Sequence, residues 1–277
     1  MKKNAFQSFA AVPHSVWVVM FIVAPLLFVL AFAFRGADGS LSFANIAELS
    51  QYGNVFVLSI AFALIATVVC LLVGYPLAYF MSRQSARAQR ILMVLVMLPM
   101  WCNLLIRTYA LMALLDNGGL INSLLANMGL PKIPIVGTNF GVILGMVYDF
   151  LPYMVLPIFT AMTKLDQRYI EASHDLGCNG WQTLTRVIFP LTLSGVISGV
   201  TMVFVPSIST FYISQKLGAG KIDLVGDTIE RLFQNTSTYG VGAAISLVMM
   251  VLILISVGIM NHFSNDEENG MKGGSRK

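Results

Sequence analysis

Arg107 and Asp149 stand inside long apolar runs of this 277-residue chain, and an acid and a base so placed have two kinds of chemistry open to them. They can neutralise each other as a structural ion pair, or they can present charge to a charged solute. Arg107 lies eight residues before Leu115, and Asp149 nine after Phe140. If the two runs cross a membrane antiparallel, a rise of ~1.5 Å per residue puts both about 12–14 Å below the same surface. An ionisable group there costs at least ~2.5–3.5 kcal/mol unless it is paired or hydrated, so each should face a partner or a water-filled cavity. Trp101, Tyr109, Tyr148 and Tyr153 lie close by in sequence. Aromatic faces attract cations by ~0.5–2 kcal/mol each, and a carboxylate pairs with an ammonium, so these rings and Asp149 form a candidate route for a cationic solute. A fixed cation in such a route repels its cargo, which makes Arg107 a structural or gating charge.

The other reactive side chains form no constellation. Cys70, Cys102 and Cys178 are an odd trio without CxxC spacing, and His14, His174 and His262 are scattered. Neither a disulfide framework nor a metal site is expected, and no catalytic nucleophile with its base is found. Gly218-Ala-Gly-Lys221 falls short of the G-x-x-x-x-G-K-[ST] phosphate loop. No cofactor is therefore expected in this chain, and a process driven by ATP would need another chain to hydrolyse it.

The elements that must position these residues are apolar helices. Hydrophobic residues make up 57% of the chain and charged residues 11%, where soluble domains run at roughly 45–50% and about 25%. Six runs are long enough to cross ~30 Å of hydrocarbon: residues 16–34, 55–82, 91–115, 140–163, 191–214 and 239–260. The expectation is an all-α integral membrane protein with six transmembrane helices over residues 16–263, a short N-terminal segment 1–15 and a disordered tail 264–277. Lys2, Lys3, Arg83, Arg87, Arg90, Lys164, Arg168, Arg186, Lys272, Arg276 and Lys277 fall on one side, 11 of the 17 basic residues, against Arg35, Lys132, Lys216, Lys221 and Arg231 on the other. The positive-inside rule makes the first side cytoplasmic, both termini included. The net charge of +4 then faces anionic lipid and calls for no nucleic-acid partner.

Between the fourth and fifth runs lies a polar island, Glu171 to Pro190. Leu165, Tyr169, Ala172 and Leu176 recur at helical spacing as one apolar stripe, Asp166 is placed to cap the start, and Gly177 can close the end in a left-handed conformation. A second amphipathic piece carries Trp181, Leu184 and Ile188, and Pro190 is expected to stop it where the fifth span begins. Periodicity alone allows an ordinary connector.

The residue pattern says more. E-A-S-x-D-L-G, followed about 12 residues on by a hydrophobic-Phe-Pro ending, resembles the EAA loop of permeases of ATP-binding cassette importers. The match lies on Glu171, Ala172 and Gly177, supported by Asp175 and Leu176. LPMWCNLLIRTYALMALLDNGGLIN from Leu98, GYPLAYFMSR from Gly74, GMVYDFLPYMVLPIFTAMTKLD from Gly145 and FYISQKLGAGKIDLVGDTI from Phe211 are similar to the PotB-type permease subunits of spermidine/putrescine importers. The resemblance implies a type I, MetI-like importer permease fold in the plasma membrane, with a coupling helix at about 164–190 docking on an ATPase. It implies as partners a second homologous permease, two ATPase subunits that bind the ATP and Mg, and an extracytoplasmic polyamine-binding protein. The same loop serves permeases for other organic cations, thiamine, iron and oxyanions.

Other readings make their own demands. An ion-coupled secondary transporter needs coupling residues and usually an inverted repeat, neither of which is found. Gly141-x-x-x-Gly145 and Gly195-x-x-x-Gly199 let helix backbones approach, within the chain or across a subunit interface. The connection Gln215 to Thr238, of mixed charge, is expected as a solvated outer loop; the resemblance implies that outer loops meet the binding protein, this stretch first and Asp116 to Leu130 with it.

Overall fold

The computed structural model describes residues 5–36 and 40–274, with side chains over 12–36 and 40–262. Helices make up the regular structure among the described residues, and the isolated antiparallel bridge between Arg35 and Leu41 is the only extended pairing there. In chain order we label them α1 (residues 5–33), α2 (44–52), α3 (Gly53–Ser82), α4 (Ala86–Trp101), α5 (Leu104–Leu115), α6 (Leu120–Asn127), α7 (Asn139–Thr163), α8 (Gln167–Asp175), α9 (Gly180–Leu191), α10 (Leu193–Ser209), α11 (Tyr212–Leu217), α12 (Val225–Phe233) and α13 (Tyr239–Gly274).

Five stretches are long and apolar enough to cross a membrane: Val12–Ala33, Ala44–Ser82, Leu104–Asn127, Asn139–Thr163 and Thr236–His262. The pair α9 and α10, bent by 69° at its break, makes a sixth. Two expected spans are thus not single rods. The third run breaks at Cys102 and Asn103, whose extended backbones end α4 and start α5; the Asn103 side chain accepts from the Leu105 amide and caps the new helix. In the fifth, Pro190 does not stop the helix. A wide π turn at Leu184–Ile188 precedes it and accommodates a residue that has no amide to donate, so α9 continues to Leu191 and the bend falls at Thr192. The same device, a π turn at Val19–Val23, precedes Pro25 in α1.

The chain divides into two units. The smaller holds the described residues up to Asn54 with Thr228–Leu252. In it Ala33, Ala243 and Ala244 are fully buried, small enough for the helices to close. Asn45 donates its side-chain amide to the carbonyls of Ala33 and Arg35, satisfying the open end of α1.

The larger unit spans Val55–Asp227 with the residues from Ile253 on. Its axis is α7, which packs chiefly on α10. Val142, Met146, Met154, Val155 and Ile158 of α7 join Phe62, Ala66, Cys70 and Ala78 of α3 and Val196 and Val203 of α10 in one core. Lipid gives helices no hydrophobic reason to associate, so close backbone approach does that work. Both glycine pairs serve inside the chain: a Cβ on Gly145 would strike Leu217 and Ile213, and one on Gly195 or Gly199 would strike Ala161, Pro157 or Met154. They leave no small-residue groove for an intersubunit contact at those positions.

One connection and the C-terminal tail depart from expectation. The segment Gln215 to Thr238 is no solvated loop: Leu217, Ile222, Leu224, Val225, Asp227 and Thr228 are buried. Leu217 accepts the Gly137 amide, and the Ser59 hydroxyl accepts the Val225 amide. The helix α13 also runs on to Gly274, through the tail expected to be disordered, whose Glu267, Glu268 and Lys272 are good helix formers. Residues 1–4 and 275–277, with Lys2, Lys3, Arg276 and Lys277, lie outside the described residues. Within α6, Asn122 is buried and satisfied, donating to the Asp116 and Ile133 carbonyls and accepting from the Ile133 amide, which fixes the 116–133 connection.

Candidate functional site

The island folds as two helices locked by their caps. Asp166 accepts from the Arg168 amide and starts α8. Gly177 ends it at φ +78°, a conformation that costs glycine little and other residues much. The Cys178 amide donates to the Ser173 carbonyl and the Gly177 amide to that of His174, the paired bonds of a Schellman closure. Asn179 and Gln182 then form a capping box that starts α9. Between the helices, Ser173 and Thr183 share a buried hydroxyl–hydroxyl bond of 3.0 Å.

Locked in this way, the loop packs Leu165, Ile170, Leu184 and Ile188 on the core and turns three large apolar residues outward. Leu176 is 85% exposed, Trp181 71% and Tyr169 57%, while the polar Ser173 is buried. Glu171, Ala172, Asp175 and Gly177 are all exposed on α8 or its end. Of the predicted stripe, Tyr169, Ala172 and Leu176 are therefore free for a partner, while Leu165 packs on the core of the larger unit.

The second cluster joins α4, α5 and α7. Arg107 Nε pairs directly with Asp149 Oδ1, and the two residues are 6% and 0% exposed in their side chains. Arg107 Nη1 donates to the Pro99 carbonyl at 2.9 Å and Nη2 to the Asp149 carbonyl at 3.3 Å. The Thr108 hydroxyl donates to Asp149 Oδ2 at 3.0 Å. Arg107 thus holds the open end of α4, its own helix α5 and α7 together, and splices the two helices into which the run 91–115 is broken. Of the two readings open for Asp149, this is the ion pair: both carboxylate oxygens are engaged and none of the residue is exposed, so a passing cation could meet it only by breaking the pair.

The rings divide accordingly. Tyr148 lies 5.9 Å from the Arg107 guanidinium, and Tyr153 packs on Phe150. Trp101, at the end of α4, is mostly exposed. Tyr109 belongs to another group, 6.1 Å from Tyr212 of α11, with the Lys216 ammonium 4.9 Å and 5.6 Å from the two ring centres. Sequence reading missed Thr108, Tyr212 and Lys216, because their roles depend on contacts 41 residues away in the first case and between α5 and α11 in the others. Among the described residues no cluster of His, Cys, Asp and Glu could hold a metal ion.

This architecture has solved counterparts. The permease chain of a bacterial ABC transporter that imports the acidic polysaccharide alginate superposes with a TM-score of 0.75 at 18% identity, over 94% of this chain and 96% of that one. A chain of the MetNI methionine ABC transporter, solved in inward-facing conformations, gives 0.58 at 14% identity, over 77% and 94%. These likenesses establish the fold as that of MetI-like ABC importer permeases. In sequence, the spermidine/putrescine transport system permease protein PotB of Haemophilus influenzae is 38% identical over 264 residues, 92% of each chain. PotB of Escherichia coli K12 is 34% identical over 86% of this chain and 90% of its own. The family model for inner membrane components of binding-protein-dependent transport systems matches residues 74–267, and the chain belongs to that family, as a multi-pass membrane permease.

Proposed function

We propose that this permease carries polyamines of the spermidine and putrescine class inward across the plasma membrane, driven by ATP hydrolysed with Mg on separate subunits. The observation that carries the reading is the 38% identity to a spermidine/putrescine permease along 92% of both chains, joined to a loop that holds Tyr169, Leu176 and Trp181 outward on a fixed frame. Both termini and that loop lie in the cytoplasm in this reading, as the distribution of basic residues supports.

Glu171, Ala172, Asp175, Leu176 and Gly177 form the surface that docks on one of two ATPase subunits. A rigid helix pair suits that task, because it can transmit a displacement instead of absorbing it. A second, homologous permease completes the pathway, and an extracytoplasmic polyamine-binding protein delivers the cargo. Trp101, Tyr109, Tyr148 and Tyr153 line the route with aromatic faces that favour cations. Asp149 acts from behind them, holding Arg107 so that its charge is spent within the protein and does not repel the cargo.

The test is uptake of labelled spermidine by the chain reconstituted with its second permease, ATPase and binding protein. Uptake that needs ATP and all four components supports the reading. ATP-dependent uptake of another solute with none of spermidine or putrescine would overturn the substrate, and uptake without the ATPase would overturn the energy source.

A further inference from the structure

The contacts of Lys216 single it out among the buried and half-buried charges. Arg107, a charge meant to stay where it is, has a carboxylate and two backbone carbonyls for partners. The Lys216 ammonium instead has two neutral tyrosines, Tyr109 and Tyr212, whose rings meet edge to face, and it donates to the Tyr109 hydroxyl. Tyr109 is six residues before the end of α5, about 9 Å along the helix at ~1.5 Å per residue. A lipid-facing ammonium at that depth would be costly, so this side of α5 must open to water or to protein. Tyr109 remains 47% exposed even with the lysine in place.

The rings are held by structure that does not depend on the lysine. Tyr212 and Lys216 are one turn apart on α11 and share a face. That helix is seated by Ile213 and Leu217, both fully buried against Gly145 of α7. Tyr109 follows Arg107 and Thr108, which fix its helix to α7. The lysine side chain, by contrast, is a flexible four-carbon stem with a compact ammonium at its tip. It is chemically a butylammonium, the same four-carbon stem and primary ammonium that ends putrescine and one arm of spermidine.

We propose that Tyr109 and Tyr212 form a seat for a primary alkylammonium group of the transported cation, occupied between transport events by the chain's own Lys216, which an arriving cargo displaces. This rests on the polyamine reading and deepens it, naming a place on the route and a device that keeps the route closed to monovalent cations. A tethered ammonium is present at high effective concentration, so a single free ammonium competes poorly, whereas a polycation can take the seat with one end while its other charges are held elsewhere.

The experiment is equilibrium binding of labelled putrescine, and of methylammonium in parallel, to the assembled transporter in nanodiscs without ATP or binding protein. Lys216→Met keeps the stem and removes the charge. It should bind putrescine at least about tenfold more tightly than the unaltered protein, within the strength of one desolvated cation–π contact. Adding Tyr109→Leu or Tyr212→Leu to that variant should abolish the gain, with assembly and melting temperature reported for each. Equal affinity with and without Lys216, or a gain that survives loss of either ring, would overturn the seat. If Lys216→Met gains affinity for methylammonium but not for putrescine, the seat stands and the polyamine reading falls. If the unaltered transporter takes up putrescine while Lys216→Met gains affinity for neither probe, the reading stands and the seat falls.

Discussion

The Arg107–Asp149 cluster and the 164–190 loop both invert the usual rule of polar outside and apolar inside, and they do so with opposite consequences. In the cluster, charge is hidden but every inward-facing group named above has a partner in the same chain. In the loop, Leu176 and Trp181 face outward, largely uncovered by the described residues, although the backbone that carries them is closed by three separate caps. An inversion satisfied within the chain is architecture. One left unsatisfied on a rigid frame waits for another chain. The contrast separates residues that hold the permease together from residues that connect it to its energy source.

The sharpest way to break that contrast is at the pair. Asp149→Asn leaves Arg107 buried without its counter-charge, a defect of about 3–5 kcal/mol, and the transporter should assemble poorly as judged by ATPase copurification. Combining it with Arg107→Gln should recover assembly; failure to recover would mean the cluster does more than neutralise. Thr108→Val keeps the shape and removes one hydrogen bond to the carboxylate, so the melting temperature should fall by an amount equivalent to about 1–3 kcal/mol, with uptake retained at permissive temperature.

The loop should respond in the other currency. Gly177→Val places a β-branched residue at φ +78°, a strain of about 1–3 kcal/mol, and should misdirect the end of α8. Subunits should still copurify, while spermidine uptake and substrate-stimulated ATP hydrolysis fall at least tenfold. Leu176→Ala should change stability least, within about 0.5 kcal/mol as for other exposed sites, yet lower stimulated ATP hydrolysis. A Leu176→Ala protein with a lowered melting temperature and normal hydrolysis would erase the distinction between the two regions.

What could be read from the sequence was whatever is decided locally. The apolar runs, the Asp166 cap and the left-handed Gly177 each follow from a few neighbouring residues, and the structure has all three. The equal depth of Arg107 and Asp149 was legible from helical rise, and the pair is there. The break of the third span was not, since Asn103 reads as one polar residue in an apolar run until its cap on Leu105 is seen. The 215–238 connection was missed for the opposite reason: its burial is decided by distant partners, Gly145 in α7 and Ser59, which lies 166 residues from Val225. The route residues were legible only as a neighbourhood, because which ring meets which cation depends on how α5 and α11 pack.

The splice at Arg107 has a consequence for how the protein is made. Its acidic partner comes 42 residues later in the chain, which at synthesis rates of about 5–20 residues per second is a delay of roughly 2–8 s. Throughout that interval the Arg107 guanidinium has no counter-charge from α7, in a segment that lipid accepts reluctantly. Its release from the insertion machinery is therefore expected to wait for α7, so a chain truncated before Asp149 should be extracted from membranes by alkali where one extended past α7 is not.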